Sequence, residues 1–299
     1  MITIVPDFYD QFSCKAGSCQ HTCCQGWEID IDEPTLYRYE QIKGEIGDKI
    51  RQSIIIRDGV FIFQLTDDDR CPLLQDDGLC QIIRTLGPKE LCKVCAMHPR
   101  FFVYKSELEL AGLGLCCEKT CELLLERDTP LRFCIEGTDE TMDFFELLKM
   151  TDIAKYLPRD CASQAMSILH ATSSLTVSQI LRIMELTEPI NDSWCQLLAK
   201  IRQETTAGKL TLPLPPLETW PHDQQQAYDR ICQYILYRML PRLSQWHFGH
   251  LADYAKMNTT FIYLAAAVTG DLPESLRLWS AQIEYDTDNV EIILENMLK

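Results

Sequence analysis

Positive charge is scarce in this 299-residue chain, which has 28 lysine and arginine residues against 44 aspartate and glutamate residues and a formal net charge of −16. Such a surface repels nucleic acid and anionic membranes and attracts cationic partners, although it also serves simply to keep a protein in solution. No apolar run approaches the roughly 18 residues that predict a membrane-spanning helix. The amino terminus lacks the basic leader and apolar run of a signal peptide. These absences predict a cytoplasmic protein that binds neither nucleic acid nor membrane.

Cysteine is scarce in the second half of the chain and abundant in the first, where 12 of the 15 cysteines precede residue 135. A chain of this length buries a core of its own and does not need disulfides to fold. In a reducing cytoplasm the thiols stay free. Cysteines that only fill a core are scattered, whereas clustered cysteines predict metal ligation. The alternative is a set of buried free thiols with no metal.

The clustered cysteines form four groups, and none of them follows a common metal-binding signature. A zinc ribbon with two C-x2-C pairs is absent, and so are the ferredoxin run C-x2-C-x2-C-x3-C and the C-x3-C-x2-C signature of radical S-adenosylmethionine enzymes. Because four thiolates suit both zinc and an iron–sulfur cluster, the spacing leaves the metal open. The groups are Cys14-x4-Cys19-x3-Cys23-Cys24, then Cys71-Pro72 with Cys80, then Cys92-x2-Cys95-x2-His98, and last Cys116-Cys117-x3-Cys121.

Two of these groups have local features that favour ligation. Cys92 and Cys95 form a good chelating pair, since a two-residue spacer lets both sulfurs point inward. Pro72 fixes the turn after Cys71, so that the next residues can present backbone amides to the sulfur. About four sulfurs must converge on one centre, and sequence-local pairs reduce the loop entropy of bringing them together.

The chain is predicted to be an α+β protein that divides near residue 135. Residues 1–135 form a small cysteine-rich metal- or iron–sulfur-binding module with short β-hairpins, and residues 136–299 form a mainly α-helical domain. The local signals are Pro34 at a helix start, the Asp58-Gly59 turn pair, and a Thr176/Gln179 capping box. They predict a helix over 33–52, a hairpin over 54–63, paired strands over 101–104 and 108–110, helices after 176 and over 224–240 and 247–268, and a stiff connector over 212–217.

The order of these motifs resembles the FliB family of flagellin lysine N-methylases, and it is similar to a wider family of zinc- or iron-chelating proteins. The resemblance covers about residues 6–125 and becomes specific only when the motifs are taken together. They are Phe12-x-Cys14, Thr22-Cys23-Cys24-Gln25-Gly26-Trp27, Cys71-Pro72-Leu73-Leu74, Gly78-Leu79-Cys80-x-Ile82, Leu91-Cys92-x2-Cys95 and Pro99-Arg100.

The resemblance implies transfer of methyl groups from S-adenosylmethionine to surface lysines of flagellin, and a cysteine-bound iron–sulfur cluster of the four-iron type. Zinc is the alternative metal. The chain departs from the family at Cys117, where a proline is common, and at His98, where an aromatic residue is common. The cofactor-binding and metal-binding residues that the resemblance carries over are Cys14, Cys19, Cys23, Cys24, Cys71, Cys80, Cys92, Cys95 and Cys116.

The sequence does not identify the catalytic residues or the S-adenosylmethionine site. Gly112 and Gly114 follow a strand signal, as a nucleotide-binding loop would, but no βαβ series follows them. A strand or turn that carries Cys116 to the metal is therefore the preferred interpretation. Four tyrosines are available to hold a substrate amine or take its proton, namely Tyr9, Tyr37, Tyr39 and Tyr104.

Two other functions are compatible with the same cysteines. One is a non-catalytic zinc- or iron-binding protein that acts as a carrier or scaffold. The other is a redox protein that uses an iron–sulfur cluster for electron transfer. Neither requires S-adenosylmethionine, so binding of that molecule separates them from a methyltransferase.

Overall fold

The structure of the protein is a computed structural model, and it describes residues 2–105, 107–150, 171–210 and 217–298. The described chain combines strands in its first half with helices that dominate its second half, which confirms the predicted α+β class. The strands are β1 (Ile2–Pro6), β2 (Ile54–Arg57), β3 (Val60–Phe63), β4 (Arg100–Lys105), β5 (Leu108–Leu113), β6 (Phe133–Ile135) and β7 (Thr141–Met142).

The helices of the described residues have at most nine residues before residue 150, and the longest ones follow it. They are α1 (Glu33–Gln41), α2 (Glu45–Gln52), α3 (Gln81–Leu86), α4 (Lys93–Met97), α5 (Glu118–Leu125), α6 (Phe144–Met150), α7 (Val177–Met184), α8 (Asp192–Thr206), α9 (His222–Met239), α10 (Phe248–Thr269), α11 (Leu272–Trp279) and α12 (Thr287–Asn296), with a π-helical turn at Ser280–Glu284.

The chain separates into two compact units, one of Ser13–Arg100 and one of Met1–Phe12 with Phe101–Lys299. The division predicted at residue 135 does not coincide with these limits. The reason is strand pairing: β1 pairs in parallel with β5 and antiparallel with β6, so the start of the chain and the segment before residue 135 share one sheet. Cysteine density along the chain carries no information about such long-range pairing.

The unit Ser13–Arg100 is built on α1, α2 and the β2–β3 hairpin. The single helix predicted over 33–52 is two helices, because Gly44 adopts a φ of 83° that ends the regular backbone before α2. The hairpin forms as predicted, with Asp58 and Gly59 at φ values of 52° and 82° and the closing pair Arg57–Val60. Positive φ at both central residues gives the turn the twist that antiparallel strands require.

The second unit centres on a five-stranded sheet with the strand order β4-β5-β1-β6-β7. The predicted pairing of 101–104 with 108–110 is confirmed as part of this larger sheet. Helix α9 fastens to the sheet through two buried tyrosines: Tyr237 Oη donates to the Ile4 carbonyl at 2.7 Å, and Tyr234 Oη to the Leu113 carbonyl at 2.8 Å. These bonds join the helix directly to the backbone of β1 and β5.

The helical predictions for the second unit hold where the residues are described. Thr176 and Gln179 form the predicted capping box at the start of α7. Helices α9 and α10 match the ranges predicted over 224–240 and 247–268 to within a few residues. In the connector predicted over 212–217, residues 212–216 lie outside the described residues. None of the described helices combines the length and apolar character that crossing a membrane requires.

Candidate metal centre

Five cysteines of the unit Ser13–Arg100 come together in one apolar cluster. Cys71 and Cys92 are almost fully buried in it, and the other three pack against it half-buried. Its apolar members include Ile29, Phe63 and Leu73. All five are free thiols. This thiol cluster consists of Cys24, Cys71, Cys80, Cys92 and Cys95.

Backbone hydrogen bonds hold three segments of the thiol cluster together. The Cys71 N–H donates to the Cys24 carbonyl at 2.8 Å, which joins the first and second cysteine groups. The Gln81 N–H donates to the Leu73 carbonyl at 2.8 Å, and Leu74 pairs with Cys80 in an isolated β-bridge. The turn predicted after Pro72 therefore returns the chain to Cys80.

Asp32 attaches the fourth segment. Its Oδ1 caps α1 by accepting the Thr35 N–H at 3.1 Å, and its Oδ2 accepts the Lys93 N–H at 2.8 Å. Since Lys93 follows Cys92, one carboxylate fixes both the helix that carries Tyr39 and the Cys92-x2-Cys95 pair. The helix signal at Pro34 predicts the start of α1, but no local signal points to Lys93, which lies 61 residues beyond Asp32.

Burial and mutual repulsion control the ionisation of these thiols. Burial raises the pKa of Cys71 to about 12, and charge on Cys24, Cys80 or Cys92 would raise it further, so these sulfurs lie within electrostatic reach of one another. The Leu73 N–H acts in the opposite direction on the Cys71 sulfur, as the proline turn predicts. Burial also raises the pKa of Cys80. Several thiolates can coexist here only if a cation balances them.

Two hydrogen-bonded pairs of thiols involve members of the cluster. A hydrogen bond from Cys23 lowers the pKa of Cys24 to about 7. A hydrogen bond from Cys95 lowers the pKa of Cys92, and the same bond raises the pKa of Cys95, which therefore keeps the proton. In both pairs one sulfur is prepared to ionise first, as the first ligand of a metal would be.

The donor set suits a thiolate-bound metal, although the side chains do not enclose one as they stand. In the described part of the chain, no three histidine, cysteine, aspartate or glutamate side chains are arranged to hold a metal ion. The sulfurs of Cys92 and Cys95 point at each other instead. A change of χ1 rotamer redirects a cysteine sulfur without moving the backbone. The dry surroundings and the number of sulfurs fit either zinc or an iron–sulfur cluster.

The other predicted ligands are placed differently. Cys14 and Cys23 are exposed and Cys19 is half-buried, and Cys14 Sγ accepts the Ala16 N–H at 3.3 Å. Cys116 belongs to the second unit, where the Tyr285 hydroxyl contacts its thiol and burial raises its pKa to about 12. Tyr285 has no sequence signal that connects it with Cys116. The structure thus brings together five of the nine predicted ligands.

Solvent exposure distinguishes the four candidate tyrosines and the candidate ligand His98. Tyr37 and Tyr104 are 68% and 59% exposed and are open to a substrate, whereas Tyr9 and Tyr39 are buried. Burial lowers the pKa of His98 to about 4, so its imidazole is neutral, which is the form that ligates metals. Among the described residues the buried His98 Nε2 has no hydrogen-bond partner.

Three curated relatives match the chain, all at 30% identity over 135 residues that cover 41% of it. One is the flagellar biosynthetic protein FliU of Salmonella muenchen, of which the match covers 77%. The others are lysine-N-methylases of Salmonella typhimurium and Salmonella choleraesuis, of which the match covers 32%. No family model and no solved structure matches the chain. The FliU match shows that the chain belongs to the FliB family, as its cysteine motifs predict.

Proposed function

We propose that this protein is a protein-lysine N-methyltransferase that uses S-adenosylmethionine and holds an iron–sulfur cluster in the unit Ser13–Arg100. The observation that carries the proposal is the convergence of five thiols in one apolar cluster in a member of the FliB family. Two relatives bear the name lysine-N-methylase, and a third is a flagellar biosynthetic protein. Because the chain matches only 32% of the length of the lysine-N-methylases, the activity of the whole protein is part of the proposal.

The iron–sulfur cluster takes four of the five clustered thiols as ligands, since a four-iron cluster is held by four cysteine thiolates. When bound, it supplies a crosslink that couples ligation to folding and a centre that accepts or donates one electron. The protein contributes the surroundings of the sulfurs, namely backbone N–H groups such as that of Leu73 and a dry apolar wall. Zinc bound to the same four thiolates is the alternative.

The substrate is a surface lysine of flagellin, and its neutral ε-amino nitrogen attacks the methyl carbon of the sulfonium. The carbon–nitrogen bond forms as the carbon–sulfur bond breaks, S-adenosylhomocysteine leaves, and the nitrogen then loses a proton to water or a basic side chain. The attack requires a linear arrangement of nitrogen, methyl carbon and sulfur. The net charge of −16 favours the approach of a lysine-bearing partner. A cytoplasmic location follows from the need for reduced thiols.

Two measurements on anaerobically purified full-length protein test this proposal. Iron and sulfide analysis with a visible spectrum is expected to show a brown protein with a full cluster. Incubation with S-adenosylmethionine and flagellin is expected to add methyl groups to lysines, detected by mass spectrometry of flagellin peptides. Flagellin incubated without S-adenosylmethionine is the control.

The combinations of outcomes separate the competing functions. Full iron content without methyl transfer or S-adenosylmethionine binding contradicts the methyltransferase and favours an iron carrier or an electron-transfer protein. Zinc in place of iron contradicts the iron–sulfur cluster but leaves methyl transfer open. Methyl transfer by a protein that holds no metal contradicts the assignment of the thiol cluster.

A further inference from the structure

Tyr39 carries a fully buried hydroxyl group that has no hydrogen-bond partner among the described residues. Its side chain is 0% exposed, and its Oη is shielded from solvent. Leaving a buried hydroxyl unpaired is unfavourable, and phenylalanine would fill nearly the same space without that penalty. An orphaned hydroxyl at this depth therefore points to a partner other than the described residues of the chain.

The surroundings of Tyr39 indicate what kind of group that is. The phenol ring packs against Phe63, with ring centroids 6.2 Å apart. Tyr39 lies in the same apolar cluster as Cys92, with Cys80 and Cys95 packed against it. Burial raises the pKa of Tyr39, and charge on these sulfurs raises it further. Asp32 joins the start of α1 to Lys93, which holds the helix of Tyr39 against the Cys92–Cys95 pair. The phenol and these sulfurs therefore share one apolar cluster.

We propose that the Tyr39 hydroxyl donates a hydrogen bond to a sulfur of the iron–sulfur cluster held by the thiol cluster. This inference rests on the proposed function, because it requires an inorganic centre in the unit Ser13–Arg100. Tyr39 would then contact the iron–sulfur cluster directly, in addition to the cysteine ligands. A hydroxyl that finds its acceptor only when the cluster is present explains why the residues that the structure describes leave it unpaired.

The bond has a definite electrochemical consequence. A donor to a cluster sulfur stabilises the more negative, reduced state more than the oxidised state, and therefore raises the reduction potential. Removal of the hydroxyl in Tyr39→Phe is expected to lower the equilibrium constant for one-electron reduction about tenfold, which corresponds to about 59 mV. A purely structural tyrosine would change stability without moving the potential.

The test is a potentiometric titration of full-length protein with a reconstituted cluster, followed by electron paramagnetic resonance. Tyr37→Phe is the matched control, since Tyr37 lies on the same helix and is 68% exposed. We expect Tyr39→Phe to lower the potential and Tyr37→Phe to leave it unchanged. A wild-type potential in a fully loaded Tyr39→Phe protein overturns the inference and leaves the proposed cluster standing, whereas a wild-type protein that takes up no iron overturns both.

A second variant covers the case in which Tyr39→Phe does not take up the cluster. Replacing Tyr39 by 3-fluorotyrosine preserves the shape of the side chain and makes the hydroxyl a stronger donor. The potential is then expected to rise above that of the wild type, in the opposite direction to Tyr39→Phe. An unchanged potential in the fluorinated protein contradicts the hydrogen bond.

Discussion

The double variant Cys71→Ser with Cys92→Ser is expected to bind no more than about one tenth of the wild-type iron and to lose the ordered structure of Ser13–Arg100. Cys71 and Cys92 are the two members of the thiol cluster that are almost completely buried. Replacing one of the five clustered thiols still leaves the four that a four-cysteine site needs. Replacing two leaves only three, and the site cannot be completed. Because ligation free energy is also folding free energy, metal content and fold are lost together.

Two measurements check this double variant. Iron content per protein is determined by elemental analysis, and amide hydrogen exchange reports the opening of the segment 13–100. Cys195→Ser is the matched control, since Cys195 is exposed on α8 in the other unit and is expected to keep full iron. Full iron content in the double variant would show that the buried thiols are not ligands, and the thiol cluster would then be an apolar core of free cysteines.

Local signals in the sequence predicted the parts of the fold that are determined by neighbouring residues. The Asp58-Gly59 pair predicted the hairpin because both residues are needed at positive φ. Thr176 and Gln179 predicted the start of α7 because they bond to each other within one turn. The cysteine motifs predicted the family, which the FliU match confirms. Each of these patterns is complete within a few residues of the chain.

The sequence did not reveal features that depend on distant partners. The pairing of β1 with β5 joins residues about 106 positions apart, as in Ile2 with Leu108. Neither segment carries a sequence signal that identifies its partner strand. The same limit applies to the thiol cluster, where spacing predicted ligation but not which five of nine cysteines converge. Tyr39 was one of four equivalent tyrosines until the fold placed it in the apolar cluster that holds Cys80, Cys92 and Cys95.

The two glycines near the end of β5 form a local pattern whose cause is also a distant partner. In the sequence, Gly112 and Gly114 have the composition of a nucleotide-binding loop. In the structure, Gly112 lies in β5 and Gly114 just beyond it, and aromatic side chains occupy the space above both. A Cβ on Gly112 would come within 2.5 Å of the Phe101 ring and 2.7 Å of the Tyr234 hydroxyl. The absence of side chains therefore reflects packing against aromatic residues, two of which, Tyr234 and Tyr285, lie more than 120 positions further along the chain.

Gly114→Ala is expected to destabilise the protein by about 3 kcal/mol, although the backbone there does not require glycine. A Cβ at this position would overlap the hydroxyl and ring of Tyr285. The strand that precedes it is hydrogen-bonded on both sides, to β4 and β1, so the backbone cannot retreat and the tyrosine must move. Overpacking of this kind costs about 1–3 kcal/mol, and losing the contact between Tyr285 and the Cys116 thiol adds about 1 kcal/mol.

The displacement of Tyr285 is also expected to expose the Cys116 thiol, which lies in the same aromatic surroundings as Arg238. The Arg238 guanidinium lies 4.7 Å from the Tyr285 ring centroid and 4.6 Å from that of Phe101, so it is held between two aromatic faces. When the Tyr285 side chain is displaced, the Cys116 thiol becomes more exposed to solvent and reacts faster with a thiol reagent. Urea denaturation measures the loss of stability, and the rate of Cys116 alkylation, followed by mass spectrometry, measures the exposure.

Gly249→Ala is the matched control for Gly114→Ala, because a Cβ there would lie 3.4 Å from its nearest neighbour, His247 Nδ1, within helix α10. In a helix, alanine is favoured over glycine by about 1 kcal/mol, so this variant is expected to be as stable as the wild type or more stable. Adding Tyr285→Ala to Gly114→Ala removes the overlap, and the combined loss of stability should be smaller than the sum of the two single losses. Strictly additive losses would contradict the clash, because two residues that compete for the same space cannot contribute independently.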